Sequence, residues 1–210
     1  MPAGWEHDSL IGQVPAAMKG TAMRKIVFMM SVSLDGFFEG PDHDLGWQLI
    51  GDDLLHHFNE WLGAAGAFLD GRVTYELMAG YWPTADQDPS APGPVAEFAR
   101  IWRDKPKVVF SRTLAQAAWN TTIVRELVPD EIRQLKAQPG GDLVVGGADL
   151  AAAFMAHDLI DEYRFYVQPV LLGRGRLLFQ PSDVRLGLRL AEARPFGNGV
   201  ILLRYQRPAH

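Results

Sequence analysis

The chain has no cysteine in its 210 residues, which removes disulfides, thiolate zinc sites and thiol nucleophiles together and is compatible with the cytosol. Positive charge is also scarce. Twenty Lys and Arg against 25 Asp and Glu leave a net charge of −5, so there is no broad basic face for nucleic acid or anionic lipid. Any phosphate must be met by a few local arginines. No apolar run approaches the roughly 18 residues of a spanning helix, and the first segment lacks the basic start and apolar stretch of a signal peptide. These absences predict a cytoplasmic protein with no membrane and no nucleic-acid partner. Familiar motifs are missing too. Gly173 and Gly175 form a lone GxG with Leu178 at the third glycine position and no helix pattern after it; there is no Walker A sequence and no HExxH, so a metal is not expected.

What is present is an ordinary globular composition, 48% apolar and 21% charged, and a length that suits one domain. Residues Met1 to Ala22 show no helix or strand period and read as a loosely ordered extension, leaving 23–210 as the folded unit. From Lys25 the run KIVFMMSV suits a central strand covered on both faces. DDLLHHFNEWLG then places Leu54, Leu55, Phe58, Trp61 and Leu62 on one helical face, with Asp52 and Asp53 at the end where the helix dipole favours negative charge and His56 and His57 off the stripe as solvated side chains. A strand over Ala67 to Leu69 leads to a helix over Thr74 to Ala79, followed by a proline-rich surface loop, Trp82 to Pro94. A helical stripe of Val95, Phe98, Ala99 and Trp102, a strand from Lys107 to Phe110, a helix from Pro129 to about Gln138, and a strand from Leu143 to Val145 feeding a helix through Met155 continue the alternation. The final third turns to strands, near Glu162 to Gln168, Arg176 to Phe179, Leu186 to Ala193 and Val200 to Gln206, for which antiparallel pairing is expected. The whole reads as one α/β sandwich with a mixed sheet.

Three segments look built for anions. In LVVGGADLAAAF a buried strand runs through two glycines into a helix, which bares backbone N–H groups and the positive helix end. An equally open reading is a tight strand-to-helix turn with Asp149 as its cap. Gly71-Arg72 with Thr74-Tyr75 again follows a strand; Arg72 can fork onto phosphate oxygens and Thr74 can add a hydroxyl, or Arg72 is simply exposed near a helix start. Ser111-Arg112-Thr113 ends the strand VVF and suits a terminal phosphate monoester. All three follow strands, and ligands gather at the carboxyl ends of strands in α/β sheets. Asp42, His43 and Asp44 beside Gly40-Pro41 read as a polar turn.

In order, SLDG, GRVTYE, VVFSRTL, LVVGGADL and DEYRFYVQPVLLGRGRLLF resemble the dihydrofolate reductase-like superfamily, and more closely the reductase domain of the bacterial bifunctional riboflavin-biosynthesis deaminase-reductase and its stand-alone relatives. The resemblance spans about Lys25 to Arg207. It implies a three-layer α/β/α sandwich with a mostly parallel mixed sheet and antiparallel C-terminal strands. It also implies NADPH held by Gly71, Arg72 and Thr74, by Ser111 and Arg112, and by Gly146, Gly147 and Ala148; in such folds a cis peptide can join the two adjacent glycines. Ser33 and Asp35 become the substrate-side candidates, with Asp35 either orienting a substrate hydroxyl or amine or bonding its own turn. GPDHDLGW resembles the segment that closes over the cofactor, with Trp47 as its anchor and a substrate neighbour. Dihydrofolate reductases place a carboxylate early in the first helix, where Asp52 and Asp53 lie here, which makes Asp53 a second catalytic candidate. Arg174 and Arg176 are candidates for a substrate phosphate. The zinc-dependent deamination step is excluded because its paired cysteines are absent.

The leading expectation is an NADPH-dependent oxidoreductase resembling 5-amino-6-(5-phosphoribosylamino)uracil reductase, passing hydride to a small heterocyclic or sugar-derived substrate. A dihydrofolate or pterin reductase and a non-catalytic nucleotide-binding dimer are the alternatives. Tyr163, Phe165 and Tyr166 suggest a homodimer built through the C-terminal strands.

Overall fold

A computed structural model describes residues 23–180 and 185–208, so the extension expected over 1–22 lies outside the described residues. The strands are β1 (Ile26–Ser33), β2 (Phe37–Glu39), β3 (Ala67–Gly71), β4 (Lys107–Phe110), β5 (Thr121–Val124), β6 (Leu143–Gly146), β7 (Glu162–Gln168), β8 (Arg176–Leu177), β9 (Arg189–Pro195) and β10 (Ile201–Gln206). The helices are α1 (Asp52–Ala64), α2 (Arg72–Ala79), α3 (Gly93–Asp104), α4 (Pro129–Ala137) and α5 (Ala148–Ala156). Eight strands form one sheet in the order β5-β4-β3-β6-β1-β7-β10-β9, and β2 pairs β8 in a separate ribbon. From β5 to β7 every pairing is parallel; β10 runs antiparallel to both β7 and β9.

Alternation along the strands sorts the core into two layers. Ile26, Phe28, Leu69, Val108, Leu143 and Val145 face α4 and α5, where Ile132, Leu135, Ala151 and Phe154 close a wholly apolar cluster. Phe68, Val109, Val144, Tyr166 and Leu202 face the other way, onto α1, α2 and α3. This second layer also buries polar groups: Asn59, Asp70, Lys107 and Gln168. Asn59 belongs to the buried stripe of α1 and donates through Nδ2 to the Pro94 carbonyl (2.9 Å) and to Glu97 (2.9 Å), fastening α1 to α3.

Several expectations are corrected. β7 lies parallel to β1, and β8 leaves the main sheet, because Gly173 and Gly175 (φ +71° and +142°) turn the chain back toward β2. The β9 pairing begins at Arg189 rather than Leu186. Tyr163 and Tyr166 belong to opposite core layers and Phe165 packs partly buried against the first of them; β7, which carries all three, is an interior strand, and the edge strand on that side is β9. His57 is half-buried, packed on Phe58, Tyr166 and Phe196, with its Nε2 3.1 Å from the Tyr166 hydroxyl; burial lowers its pKa, whereas His56 is exposed as expected. Trp82–Gln87 coils into a 3-10 turn instead of a plain loop, since Trp82 stacks edge-on against Phe98 and Arg103 grips Asp86 with two 2.7 Å hydrogen bonds. The sequence reading passed over β5, whose four half-buried residues follow a helix-free connection.

Candidate functional site

Parallel pairing brings the carboxyl ends of β4, β3, β6, β1 and β7 to one edge of the sheet, with β6 inserted between β3 and β1. At its centre, β3 and β6 each run straight into a helix through a glycine N-cap. Gly71 caps α2 and Gly147 caps α5, and neither helix start has a side-chain capping bond. The first-turn N–H groups of a helix have no intrahelical acceptor, so two sets of amide donors open on the same edge. The two turns touch. A Cβ on Gly147 (φ +93°) would lie 2.5 Å from Thr74 Oγ1, and a Cβ on Gly146 would collide with Asp70 Oδ1. Glycine is therefore imposed here by close packing as well as by backbone angle. No cis peptide occurs among the described residues, and Gly147 adopts a positive φ. Ala148 is buried at the first position of α5.

Asp149 does not cap α5. Its two carboxylate oxygens accept from Arg176 Nη2 at 2.9 and 3.1 Å, and Arg176 Nη1 donates to the nearly buried Glu39 (3.1 Å) while its guanidinium lies 4.9 Å from the Phe38 ring centre. Arg176 is thus a buckle between the β2–β8 ribbon and the start of α5. It also neutralises Asp149, whose charge would repel an anion at that helix start.

Arg72 pairs with Glu76 one turn along α2 (2.7 Å) on an exposed face. Ser111 is buried, and its Oγ accepts from the N–H groups of Thr113 and Leu114 (3.2 and 2.9 Å), which shapes the loop after β4. Arg125, just past β5, donates to the carbonyls of Ser111 and Leu114 (2.9 and 2.7 Å) and stiffens the same loop. Arg112 is exposed, without a hydrogen-bond or ion-pair partner among the described residues, and with Arg125, Glu126 and Leu127 it lines a depression of about 520 Å³. Arg125 was not singled out in the sequence, although its position just past a strand matches that of Arg112.

At the β1–β7 end Ser33, Asp35 and Asp53 are engaged in internal hydrogen bonds. Ser33 Oγ donates to Asp35 Oδ1 (2.6 Å) and accepts from the Phe37 N–H (2.9 Å). Asp35 also accepts from the N–H groups of Leu172 and Gly173 (3.1 and 2.7 Å). These donors, the Ser33 hydroxyl first, hold the Asp35 carboxyl at a pKa of about 2, so it is ionised and cannot lend a proton near neutrality. Asp53 bonds the N–H of Leu54 (2.9 Å) and of Gly197 (2.9 Å), and the Gly197 bond is the main cause of its lowered pKa. Of the two carboxylates in the first turn of α1, Asp53 is accordingly fastened to a neighbouring turn, while Asp52 is exposed. Trp47 is half-buried and donates through Nε1 to the Asp44 carbonyl (2.9 Å), within a turn whose Asp42 and His43 adopt left-handed angles (φ +58° and +61°).

Asp70 escaped the sequence reading although it closes an apolar strand. It is 5% exposed, its neighbours across the sheet are Gly146 and Val109, and burial raises its pKa to about 7 against the opposing pull of Lys107. Lys107 is itself buried, over the Trp102 ring with Nζ donating to the carbonyls of Trp102 and Lys105, and burial lowers its pKa to about 8. A charged residue at an inward strand register was the available signal.

No helix among the described residues is long and apolar enough to cross a membrane. The model of the RibD C-terminal domain family matches residues 24–202. The chain is 32% identical over 183 residues to the uncharacterized protein YyaP of Bacillus subtilis (strain 168), covering 87% of this chain and 94% of that one. It is 28% identical to the uncharacterized protein YwjB of the same organism, over 85% and 96% of the two chains. In three dimensions it matches a putative riboflavin biosynthesis protein from Shewanella sp. PV-4 with a TM-score of 0.69 at 21% identity, covering 88% of this chain and 99% of that one. It also matches Acinetobacter baumannii RibD with a TM-score of 0.60 at 18% identity, covering 89% of this chain but 58% of that longer one. The described residues carry the dihydrofolate reductase-like α/β fold of these structures, and with the family model spanning nearly the whole sheet, this chain belongs to the RibD C-terminal domain family.

Proposed function

We propose that the protein is an NADPH-dependent reductase of the type that reduces 5-amino-6-(5-phosphoribosylamino)uracil, acting on a small heterocyclic or sugar-derived substrate. One observation carries this reading: the paired, uncapped starts of α2 and α5, whose turns touch at Thr74 and Gly147, with Arg112, which has no partner among the described residues, just past the neighbouring strand end. A pyrophosphate needs several N–H donors on one surface, and a terminal phosphate monoester needs a cation set apart from them. The residues present fit such a molecule.

In this reading Gly71, Thr74, Gly146, Gly147 and Ala148 hold the pyrophosphate. Arg112, on a loop shaped by Ser111 and braced by Arg125, meets the 2′-phosphate. Arg176 holds Asp149 away from the anion. When bound, NADPH supplies the hydride. Asp35, ionised and fixed by three donors, orients the loop after β1 and offers an acceptor to a substrate hydroxyl or amine. Trp47 anchors the segment that excludes water from the edge. The test is direct: purified protein incubated with NADPH and 5-amino-6-(5-phosphoribosylamino)uracil should oxidise the nucleotide with matching formation of the ribityl product. Binding of NADPH with no turnover of this compound would leave a nucleotide-binding protein and overturn the assignment of substrate type.

A further inference from the structure

The last residue of β7, Gln168, is fully buried, and its side-chain amide is half satisfied. One side-chain atom receives the N–H of Leu49 at 2.9 Å. A backbone N–H can only donate, so that atom is Oε1, and the orientation of the amide is fixed by chemistry. Nε2, which carries two donor hydrogens, has no hydrogen-bond partner. Buried amide donors are nearly always paired, and an orphan in a native fold points to a missing partner.

The position of this orphan is informative. Gln168 is the cross-strand neighbour of Ser33, so both side chains stand on the same face at the carboxyl ends of β1 and β7. The Ser33 hydroxyl donates to Asp35 and already accepts from the Phe37 N–H, and it makes no hydrogen bond with Nε2. The strap that precedes α1 carries Leu49, about half exposed, which bonds the Gln168 side chain through its N–H and accepts from Asn198 Nδ2 (3.0 Å) through its carbonyl. Two hydrogen bonds, one of them to a surface asparagine, are the polar ties of Leu49 over Gln168. A ligand entering the β1–β7 end can replace the Leu49 N–H and satisfy Nε2 at the same time.

We propose that Gln168 is a ligand-binding residue: with the Leu49 strap displaced, its side-chain amide pairs edge to edge with an amide-type group, Nε2 donating to a ligand carbonyl and Oε1 accepting a ligand N–H. This deepens the reductase reading and rests on it for the identity of the ligands. Two molecules of that reading carry the required edge. The nicotinamide end of NADPH has a primary carboxamide, and a pyrimidinedione substrate has a lactam.

The experiment follows the side-chain NH₂ signals of Gln168 in protein labelled with ¹⁵N-glutamine, assigned by comparison with Gln168→Met. NADPH is titrated against adenosine 2′,5′-bisphosphate, which shares the phosphate end but lacks the carboxamide, and 6-aminouracil serves as the lactam probe. A shift with NADPH and none with the bisphosphate supports the proposal with the cofactor as the source of the amide. A shift with 6-aminouracil and none with NADPH supports it with the substrate as the source. In the first case Gln168→Met should bind NADPH about tenfold more weakly while its affinity for the bisphosphate is unchanged. NADPH fluorescence quenching with Gln168 signals unmoved by all three probes overturns the proposal and leaves the reductase reading intact. No quenching and no shift overturns both. If Gln168→Met does not fold, sequential backbone and side-chain assignment of the wild type yields the same titration.

Discussion

The two halves of the sheet edge are built on different terms. At the β3–β4–β6 half, helix starts are uncapped, Arg112 has no partner among the described residues, and glycines hold the turns together at van der Waals limits. At the β1–β7 half the carboxylates are drawn into internal bonds: Asp35 by three donors, Glu39 by Arg176, Asp53 by two backbone N–H groups. One buried amide, on Gln168, is left over. An anion site must be rigid and electropositive before its ligand arrives, because donors that first have to be released from other acceptors contribute little. A substrate site that ends in a strap can instead store its polar groups in internal bonds and exchange them on binding. The first half is preformed and the second is closed on itself.

The most severe way to break this contrast is to fill the preformed half. Gly147→Val puts a β-branched side chain at φ +93° against Thr74, and it should lower stability by about 2–4 kcal/mol and abolish measurable NADPH binding. Urea unfolding and fluorescence titration of the same sample separate the two losses.

Asp70 tests the buried support of that half by pH. Its folded pKa is raised to about 7, above an unfolded value near 3.9, so the folded state holds a proton that the unfolded state has released between those values. Stability from this group is therefore complete below about pH 4 and is lost as pH rises to about 7, by an amount on the order of 4 kcal/mol. Urea midpoints of the wild type should fall across that window, and those of Asp70→Asn should fall much less. A wild type whose stability rises there, with the mutant unchanged, would show that Asp70 is ionised in the fold.

The closed half responds differently. Asp35→Asn should speed hydrogen exchange at the Leu172 and Gly173 amides several-fold while leaving exchange in α5 unaltered, since those two N–H groups lose a charged acceptor. In the wild type this protection should persist across neutral and mildly acidic pH and be lost only as pH falls toward about 2. The smallest effect joins the halves. Arg176→Met leaves the Asp149 charge bare at the start of α5, and NADPH affinity should drop by about fivefold or less. The double variant with Asp149→Asn should recover it, because the loss comes from the uncovered carboxylate rather than from a missing contact.

Much of the architecture was legible because its signals are local. The β1 run, the apolar stripe of α1 and the strand–glycine–helix passages each state their geometry within a dozen residues. The pairing of β7 with β1 and the departure of β8 were not legible, since partner choice depends on where Gly173 and Gly175 send the chain. The site divides the same way. Thr74, Gly146 and Gly147 touch where the two strand–glycine–helix turns meet, whereas Asp149 proved to be a partner of Arg176 rather than a cap, a contact across 27 residues of sequence. Asp70 and Gln168 gave no motif, because burial is a property of the finished layers and not of the strands that carry them.

The central claim is that the preformed half reads the terminal phosphate of NADPH, and titrating wild type and Arg112→Ala with NADPH and NADH addresses it most directly. Tighter binding of NADPH than NADH by about tenfold to a hundredfold, with the preference gone in Arg112→Ala, is the expected result for one charge-assisted contact. Equal binding of the two nucleotides by the wild type, or no binding of either, would contradict the account.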